Sequence, residues 1–242
     1  MGYDQCWHTR FETDSSVAAA KILRYVVEIF SPESCLDLGA GAGNWTKCAM
    51  SLGITDFRAV DGPWTDVSQL RVDRDYFLSH DLSQGLDLNR KFDLAISLEA
   101  AQYMSPEGGV TLVRTATDHA NVILFSSAVP FQGGNNVTER WQSYWSQLFE
   151  DRGFQSFDLI RPRFWRDRSI AYYYRQNTLI YVNTNDAKAL KAASLARSEQ
   201  FNATVLDLIH PEKWEMLIAG SRREKMKRLY RKIYGVAKSW VQ

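Results

Sequence analysis

The feature that most constrains how this 242-residue chain folds is a glycine-rich stretch at residues 34–45. It opens with a short apolar run, which is typical of a buried parallel strand. Glycines follow at the alternate positions Gly39, Gly41 and Gly43, and from Asn44 the apolar residues recur with the period of a helix. Because glycine has no Cβ, such a turn lets a ligand approach the backbone N–H groups at the positive end of a helix. The stretch therefore predicts a strand, a ligand-binding turn and a helix.

Acidic residues stand near the ends of the first three predicted strands. Asp37 precedes the first glycine, and Asp61 lies 22 positions beyond Gly39. At about this distance an α/β nucleotide fold places an acid against ribose hydroxyls, since a carboxylate can accept both hydroxyl hydrogens. Asp81 follows the third strand, where an acid can accept from the 6-amino group of adenine. The spacing of these acids favours a bound nucleoside.

Short apolar strands alternate with helical patterns through most of the chain, which predicts an α/β fold with a doubly wound, mostly parallel sheet. Ligands of such sheets bind at the carboxyl ends of the strands. After the first strand at residues 35–38, the predicted strands are Phe57–Val60, Tyr76–Ser79, Phe92–Glu99, Asn121–Val129, Gln155–Ile160 and Thr178–Asn183. The predicted helices are Val17–Phe30, one starting at Asn44, Pro106–Thr117, Trp141–Arg152, Ala187–Ala196 and one starting near His210.

Composition excludes several classes of protein. The net charge is +1, so no global field would recruit nucleic acid or anionic lipid. The three cysteines, Cys6, Cys35 and Cys48, show no metal or redox spacing, and two of them fall in predicted core elements. The N-terminus lacks a signal-peptide pattern, and no apolar run approaches transmembrane length. We therefore expect a cytoplasmic protein.

The glycine turn resembles that of class I S-adenosylmethionine (SAM)-dependent methyltransferases, which read Asp-x-Gly-x-Gly-x-Gly where dinucleotide folds read Gly-x-Gly-x-x-Gly. Three further motifs are similar to a bacterial branch of that family: Ser97 to Tyr103, Phe125 to Gly134, and Ser143 to Trp145. The resemblance implies SAM as the cofactor and a Rossmann-like seven-stranded sheet with an antiparallel last strand. It implies cofactor contacts at Asp37, Gly39, Gly41, Gly43, Asp61, Gly62, Asp81 and Leu82.

Within this resemblance, residues 1–183 are the methyltransferase domain, with residues 1–16 as a possible lid arm. Residues 184–242 are a helical extension that ends in a basic amphipathic tail. The tail has the pattern of a helix that touches an anionic membrane or a partner, and equally that of a solvated helix docked on its own domain.

Methyl transfer to a hydroxyl needs the acceptor to be positioned and can need a base. We take Glu99, Tyr103 and His8 as the candidate catalytic residues. Glu99 follows the fourth strand, and its alternative role is a cap or hydrogen-bond anchor for the next helix. His8 depends on the lid arm, and for His80 a structural role is favoured over a catalytic one. Aromatic and basic residues farther along the chain could shape the acceptor pocket: Trp141, Tyr144 and Arg175.

Some relatives read Glu-x-x-Glu-His after the fourth strand and have a further His in the glycine-rich loop, a set that could jointly hold a divalent cation. This chain has Gln102, Tyr103 and Asn136 at those positions. One carboxylate with neutral amides is a poor donor set for a tight site, so we expect no bound metal.

The predicted activity is O-methylation of a small-molecule or glycan-type acceptor, and the glycan part rests on resemblance alone. Two alternatives stay open. A nucleic-acid methyltransferase would use the basic tail and the Arg161 to Arg175 segment, but an Asn-Pro-Pro-type element after the fourth strand is missing, so nucleic acid is not the expected partner. A SAM-binding protein without catalysis would explain the altered Gln102, Tyr103 and Asn136.

Overall fold

The structure is a computed structural model that describes residues 13–196 and 206–221. The described residues fall into two compact units. The first comprises residues 13–196 with 206–207, and the second comprises residues 208–221, in which a helix, α8, spans 211–221. No helix in the described ranges is long and apolar enough to cross a membrane.

The first unit is built on a seven-stranded sheet in the order β3-β2-β1-β4-β5-β7-β6. The strands are β1 Ser34–Leu38, β2 Asp56–Asp61, β3 Phe77–Ser79, β4 Phe92–Leu98, β5 Ala120–Ser126, β6 Phe154–Phe157 and β7 Leu179–Asn183. The pairs among β1 to β5 are parallel, and β7 is antiparallel to both β5 and β6. The sheet and its antiparallel last strand confirm the predicted fold.

Seven helices of the first unit precede, separate or follow these strands along the described chain. They are α1 at residues 13–30, α2 Asn44–Ser51, α3 Pro106–His119, α4 Gln142–Glu150, α5 Ile160–Phe164, α6 Tyr172–Asn177 and α7 Ala187–Ala196. A π-helical segment, Ala19–Leu23, interrupts α1. The segment between β6 and β7, predicted as an aromatic and basic insert, contains the short helices α5 and α6.

Two apolar clusters cover the two faces of the sheet. One contains Ile22 of α1, Trp45 of α2 and Ile180, and the other contains Leu112 of α3, Trp145 of α4 and neighbouring Tyr181. Successive strand residues point to opposite faces, so β7 contributes to both clusters. Cys35 is buried in the first cluster and Cys48 packs against it, and both are free thiols. Ala189 and Ala193 of α7 join the same cluster.

Three strands end earlier than predicted. Glu99 lies outside β4, because its backbone adopts a left-handed conformation with φ 54°. β5 stops at Ser126, since the backbone N–H of Ala128 donates to the side chain of Gln102 instead of to a strand. β6 ends at Phe157, because Ile160, which we assigned to this strand, begins α5.

Candidate functional site

The candidate site lies at the carboxyl edge of the sheet, where β1 and β4 are neighbours. From β1 the chain proceeds outward to β2 and β3, and from β4 it proceeds the other way to β5. This reversal is the topological switch point at which open α/β sheets bind their ligands. The four acids predicted from sequence, Asp37, Asp61, Asp81 and Glu99, all fall at the carboxyl ends of their strands.

The glycine turn between β1 and α2 requires glycine for two different reasons. Gly39, Gly41 and Gly43 have φ values of 81°, 54° and 85°, which lie in the left-handed region that favours glycine. A Cβ on Gly39 would stand 2.4 Å from the Cβ of Ala100, so the turn can contact the segment after β4 only without a side chain. A Cβ on Gly41 would meet nothing within 4 Å. The space beside Gly41 is therefore open, which leaves room for a ligand to approach the backbone.

Asp61, the last residue of β2, supports this turn directly. Its Oδ2 accepts a hydrogen bond from the backbone N–H of Gly41 at 2.6 Å, and its Oδ1 accepts one from Gly62 at 2.6 Å. A carboxylate has about four acceptor positions, so these bonds leave it the capacity to accept ribose hydroxyls as well. The ring of Trp64 lies against Gly62, within 2.1 Å of where a Cβ would be, and is 70% exposed.

Asp37 is buried behind the turn and joins β1 to α2. Its Oδ2 accepts from the hydroxyl of Thr46 at 2.6 Å and from the backbone N–H of the same residue at 3.2 Å. Burial is the largest cause of a pKa raised to about 7 for Asp37, which the bonds from Thr46 oppose and the charge of Asp61 reinforces. In this position the carboxyl holds the start of α2 beside the end of β1.

Asp81 begins a short 3-10 helix, Leu82–Gln84, after β3. Its Oδ1 accepts from the backbone N–H of Ser83 at 3.0 Å, and bonding to the side chain of Ser83 is the main cause of a lowered pKa for Asp81. Leu82 is buried. His80 donates its backbone N–H to the carbonyl of Asp61, and its Nε2 lies 2.5 Å from the carbonyl oxygen of Gly85. These contacts of His80 are structural.

Glu99 is buried, and side-chain amides surround its carboxylate. Oε1 accepts from Asn177 at the end of α6, and Oε2 accepts from Gln102 and from Gln132 of the loop 130–140, at 2.9–3.0 Å. The backbone N–H of Glu99 also donates to Ser126. Desolvation raises the pKa of this carboxyl, and the amide bonds oppose the rise. The contacts are those of a hydrogen-bond anchor, and a role for Glu99 as catalytic base stays a prediction.

The other two predicted catalytic residues are Tyr103 and His8. Tyr103 ends a 3-10 helix, Ala101–Tyr103, and is 42% exposed. His8 lies outside the described residues. Of the pocket residues, Arg175 is buried and donates to the carbonyl of Trp165 at 2.7 Å, so it braces the segment between α5 and α6.

The residues at the suspected metal positions make bonds within the protein. The side-chain carbonyl of Gln102 accepts from Ala128 while its amide donates to Glu99. The amide of Asn136 donates to the carbonyl of Gly133 and to Glu139. Residues 13–196 and 206–221 contain no group of three or more His, Cys, Asp or Glu side chains arranged to hold a metal ion.

Sequence reasoning missed a polar cluster beside the glycine turn. The hydroxyl of Tyr173 donates to Asp14 of α1 at 3.1 Å, and the side chain of Trp45 bonds to Tyr174. Asn44, directly after the turn, donates to the hydroxyl of Ser15 at 2.9 Å. The three-tyrosine run at residues 172–174 signalled an aromatic segment, but only the tertiary structure brings it to α1 and to the start of α2.

No protein-family model and no curated protein matches the sequence. Similar solved structures are found. DesVI of Streptomyces venezuelae aligns with a TM-score of 0.59 at 12% identity, covering 76% of this chain and 100% of DesVI. Magnesium protoporphyrin IX methyltransferase (ChlM) of Synechocystis PCC 6803, solved with bound SAH, gives a TM-score of 0.53 at 14% identity, covering 75% of this chain and 90% of ChlM. The mitomycin 7-O-methyltransferase MmcR gives 0.50 at 12% identity, covering 69% and 53% respectively. The chain therefore has the Rossmann-like fold of the SAM-dependent methyltransferases.

Proposed function

We propose that this protein is a SAM-dependent methyltransferase that methylates an oxygen atom of a small-molecule or glycan-type acceptor. The observation that carries the proposal is the glycine turn at the switch point, with Asp61 bonded to two of its backbone N–H groups. The open space at Gly41 and the acids at the ends of β2 and β3 fit a nucleoside with ribose hydroxyls and an amino group. SAM meets these requirements and supplies an activated methyl group when bound.

Catalysis in this proposal is mostly positioning, because methyl transfer from a sulfonium is an in-line displacement. Glu99 holds the loop 130–140 beside β4 through Gln132, and so fixes one wall of the acceptor site. The polar side chains of Gln132 and Asn136 suit an acceptor that carries hydroxyl groups. Tyr103, at the same edge, is a candidate contact of the acceptor. His8 belongs to the proposal only if the lid arm reaches the site.

Cofactor binding tests the proposal without knowledge of the acceptor. Asp61→Asn and Asp61→Ala should weaken binding of the demethylated product SAH, because each removes a charged acceptor of ribose hydroxyls. The expected loss is about 1.5–3 kcal/mol, roughly 10-fold to 150-fold in Kd by calorimetry. Asp87→Asn is the matched control, since Asp87 also accepts a loop N–H but precedes β4 at the other edge of the sheet. If the Asp61 variants bind SAH as tightly as the parent does, the assignment of the cofactor site is wrong.

The acceptor is identified by incubating the protein with methyl-labelled SAM and a cell extract and analysing the labelled product. A labelled small molecule or glycan agrees with the proposal. Labelled RNA or protein contradicts the acceptor class while leaving the cofactor site intact.

A further inference from the structure

Two glutamine side chains direct their amide groups at one oxygen of the buried Glu99. The side-chain carbonyl of Gln102 accepts from the backbone N–H of Ala128 at 3.2 Å. That of Gln132 accepts from the backbone N–H of Val129 at 3.4 Å. A backbone N–H only donates, so these contacts fix the orientation of each amide, and both NH2 groups donate to Oε2 of Glu99, at 3.0 and 2.9 Å. Because two donors already occupy this oxygen, the arrangement favours the ionised carboxylate.

The other oxygen of Glu99, Oε1, accepts from the amide nitrogen of Asn177 at 3.0 Å. The same nitrogen donates to Gln132 at 2.8 Å, and Gln176 donates to the side-chain carbonyl of Asn177 at 2.9 Å. Glu99 is 3% exposed, and in the part of the chain that the structure describes no Lys, Arg or His side chain forms an ion pair with it. Amide dipoles offset only part of the cost of burying a charge, which an opposite charge offsets further. The carboxylate therefore suits a cationic ligand.

Glu99 lies beside the glycine turn. A Cβ on Gly39 would stand 2.4 Å from the Cβ of Ala100, which directly follows Glu99. Burial raises the pKa of Tyr174, and the charge of Glu99 raises it further. Tyr174 bonds to Trp45 in the first turn of α2, so the field of the carboxylate reaches the residues that follow the glycine turn.

The strand order indicates which end of SAM faces Glu99. Asp81 and Asp61, near the ends of β3 and β2, are the proposed contacts of adenine and ribose. With the order β3-β2-β1-β4, the strand ends left for the sulfur end of the molecule are those of β1 and β4. Adjacent strands lie about 5 Å apart, and at this separation opposite charges in a partly buried site attract enough to change affinity by more than about tenfold. The sulfur of SAM is a positively charged sulfonium and that of SAH a neutral thioether, so only SAM presents a cation there.

We propose that the carboxylate of Glu99 is the opposite charge for the sulfonium of SAM, so that the site binds the methyl donor in preference to its demethylated product. The inference rests on the proposed function and deepens it, because it gives the charge of Glu99 a role in cofactor selectivity. Methyl transfer forms the O–CH3 bond and breaks the S–CH3 bond, whose electron pair stays on sulfur, while the hydroxyl proton leaves to solvent. The positive charge on sulfur is then lost, so the attraction ends and SAH competes less for the site.

Calorimetry on the full chain tests this with three named ligands: SAM, SAH and sinefungin, a SAM analogue with an ammonium group in place of the sulfonium. The parent should bind SAM and sinefungin more tightly than SAH. Glu99→Gln removes the charge and keeps the shape of the side chain. Both cationic ligands should bind this variant at least about tenfold more weakly, whereas the affinity for SAH should change by less than about threefold. Glu107→Gln is the matched control, because it removes the same charge from an exposed residue in the first turn of α3, and it should change none of the three affinities.

A purely structural role of Glu99 predicts an equal loss of affinity for all three ligands, and that result overturns the inference. Unchanged affinities with lowered methyl transfer would make Glu99 a base instead and overturn it too, as would an equal loss of the cationic ligands in Glu107→Gln. A parent that binds SAH as tightly as SAM and sinefungin also overturns it, and this result needs no variant to fold. Failure of the proposed function is separate, because it is seen as absent binding of all three ligands to the parent.

Discussion

At the scale of single residues, burial of the Asp37 carboxyl behind the glycine turn makes the free energy of unfolding depend on pH. Its pKa of about 7 lies above the value near 4 of an unfolded chain, so the folded protein retains a proton that the unfolded chain releases. The stability contributed by this proton is complete below about pH 4 and is lost as the pH rises through 7. At higher pH the fold bears a buried negative charge next to Asp61.

Asp37→Asn should therefore gain stability relative to the parent as the pH rises. An asparagine oxygen can still accept from Thr46, but it never ionises. We expect the difference in free energy of unfolding to grow between pH 4.5 and pH 8, by at most roughly 4 kcal/mol. Urea unfolding at several pH values measures this, with Asp87→Asn as an exposed control. A difference that stays constant across this range would contradict the burial account.

At the scale of elements, the loop 130–140 depends on a few bonds that cross between segments. Gln132 joins it to Glu99, which is in turn joined to Asn177 at the end of α6. Hydrogen bonds to a charged group are stronger than those between neutral groups. The bond from Gln132 to Glu99 therefore makes a substantial contribution to the stability of the loop.

Removal of the bond between Gln132 and Glu99 should lower the local stability of the loop without unfolding the sheet. In Gln132→Ala, amide hydrogens of residues 129–137 should exchange roughly 10-fold to 150-fold faster, as expected for loss of about 1.5–3 kcal/mol of local stability. Hydrogen exchange with mass spectrometry measures this segment directly. Gln84→Ala is the control, because Gln84 is exposed and its side chain bonds to Ser83 and Asp81 rather than to this loop. Unchanged exchange in residues 129–137 would show that the bonds to Glu139, Gln102 and Met104 hold the loop without Gln132.

At the scale of the whole molecule, the start of α1 lies beside the glycine turn. Asn44 bonds to Ser15, and Tyr173 bonds to Asp14, so the chain enters the described fold beside the glycine turn. Lys21, about two turns farther along α1, forms an ion pair with Asp167 at 2.6 Å. The lid arm of residues 1–16 stays a prediction: residues 13–16 begin α1, and residues 1–12 lie outside the described ranges.

Deletion of residues 1–12 should then lower methyl transfer far more than cofactor affinity. The fold is expected to survive, because α1 has its own contacts from residue 14 onward. Calorimetry with SAH gives the affinity, and transfer of labelled methyl groups to the acceptor found in extract gives the turnover. Full turnover in the truncated protein would remove both the lid and His8 from the mechanism.

The sequence alone determined the sheet and the glycine turn, because both depend on local patterns. Alternating strands and helices imply a parallel sheet, and glycine spacing places Gly39 and Gly41 in a turn whatever surrounds them. The position of Asp61 at the end of β2 could be predicted for the same reason, since its distance along the chain from the turn follows from one strand–helix–strand unit.

Only the tertiary structure decided the contacts of Glu99 and the backbone conformation of Phe131. Glu99 follows a buried strand in sequence, but its contacts with Gln132 and Asn177 join segments 33 and 78 positions away, which no local pattern encodes. The positive φ of Phe131 arises because Glu139, eight positions later, binds its backbone N–H. Local periodicity indicates which residues share a face of a helix or strand. The partners of a buried charge depend instead on how distant segments pack, and this packing forms only when the whole chain folds.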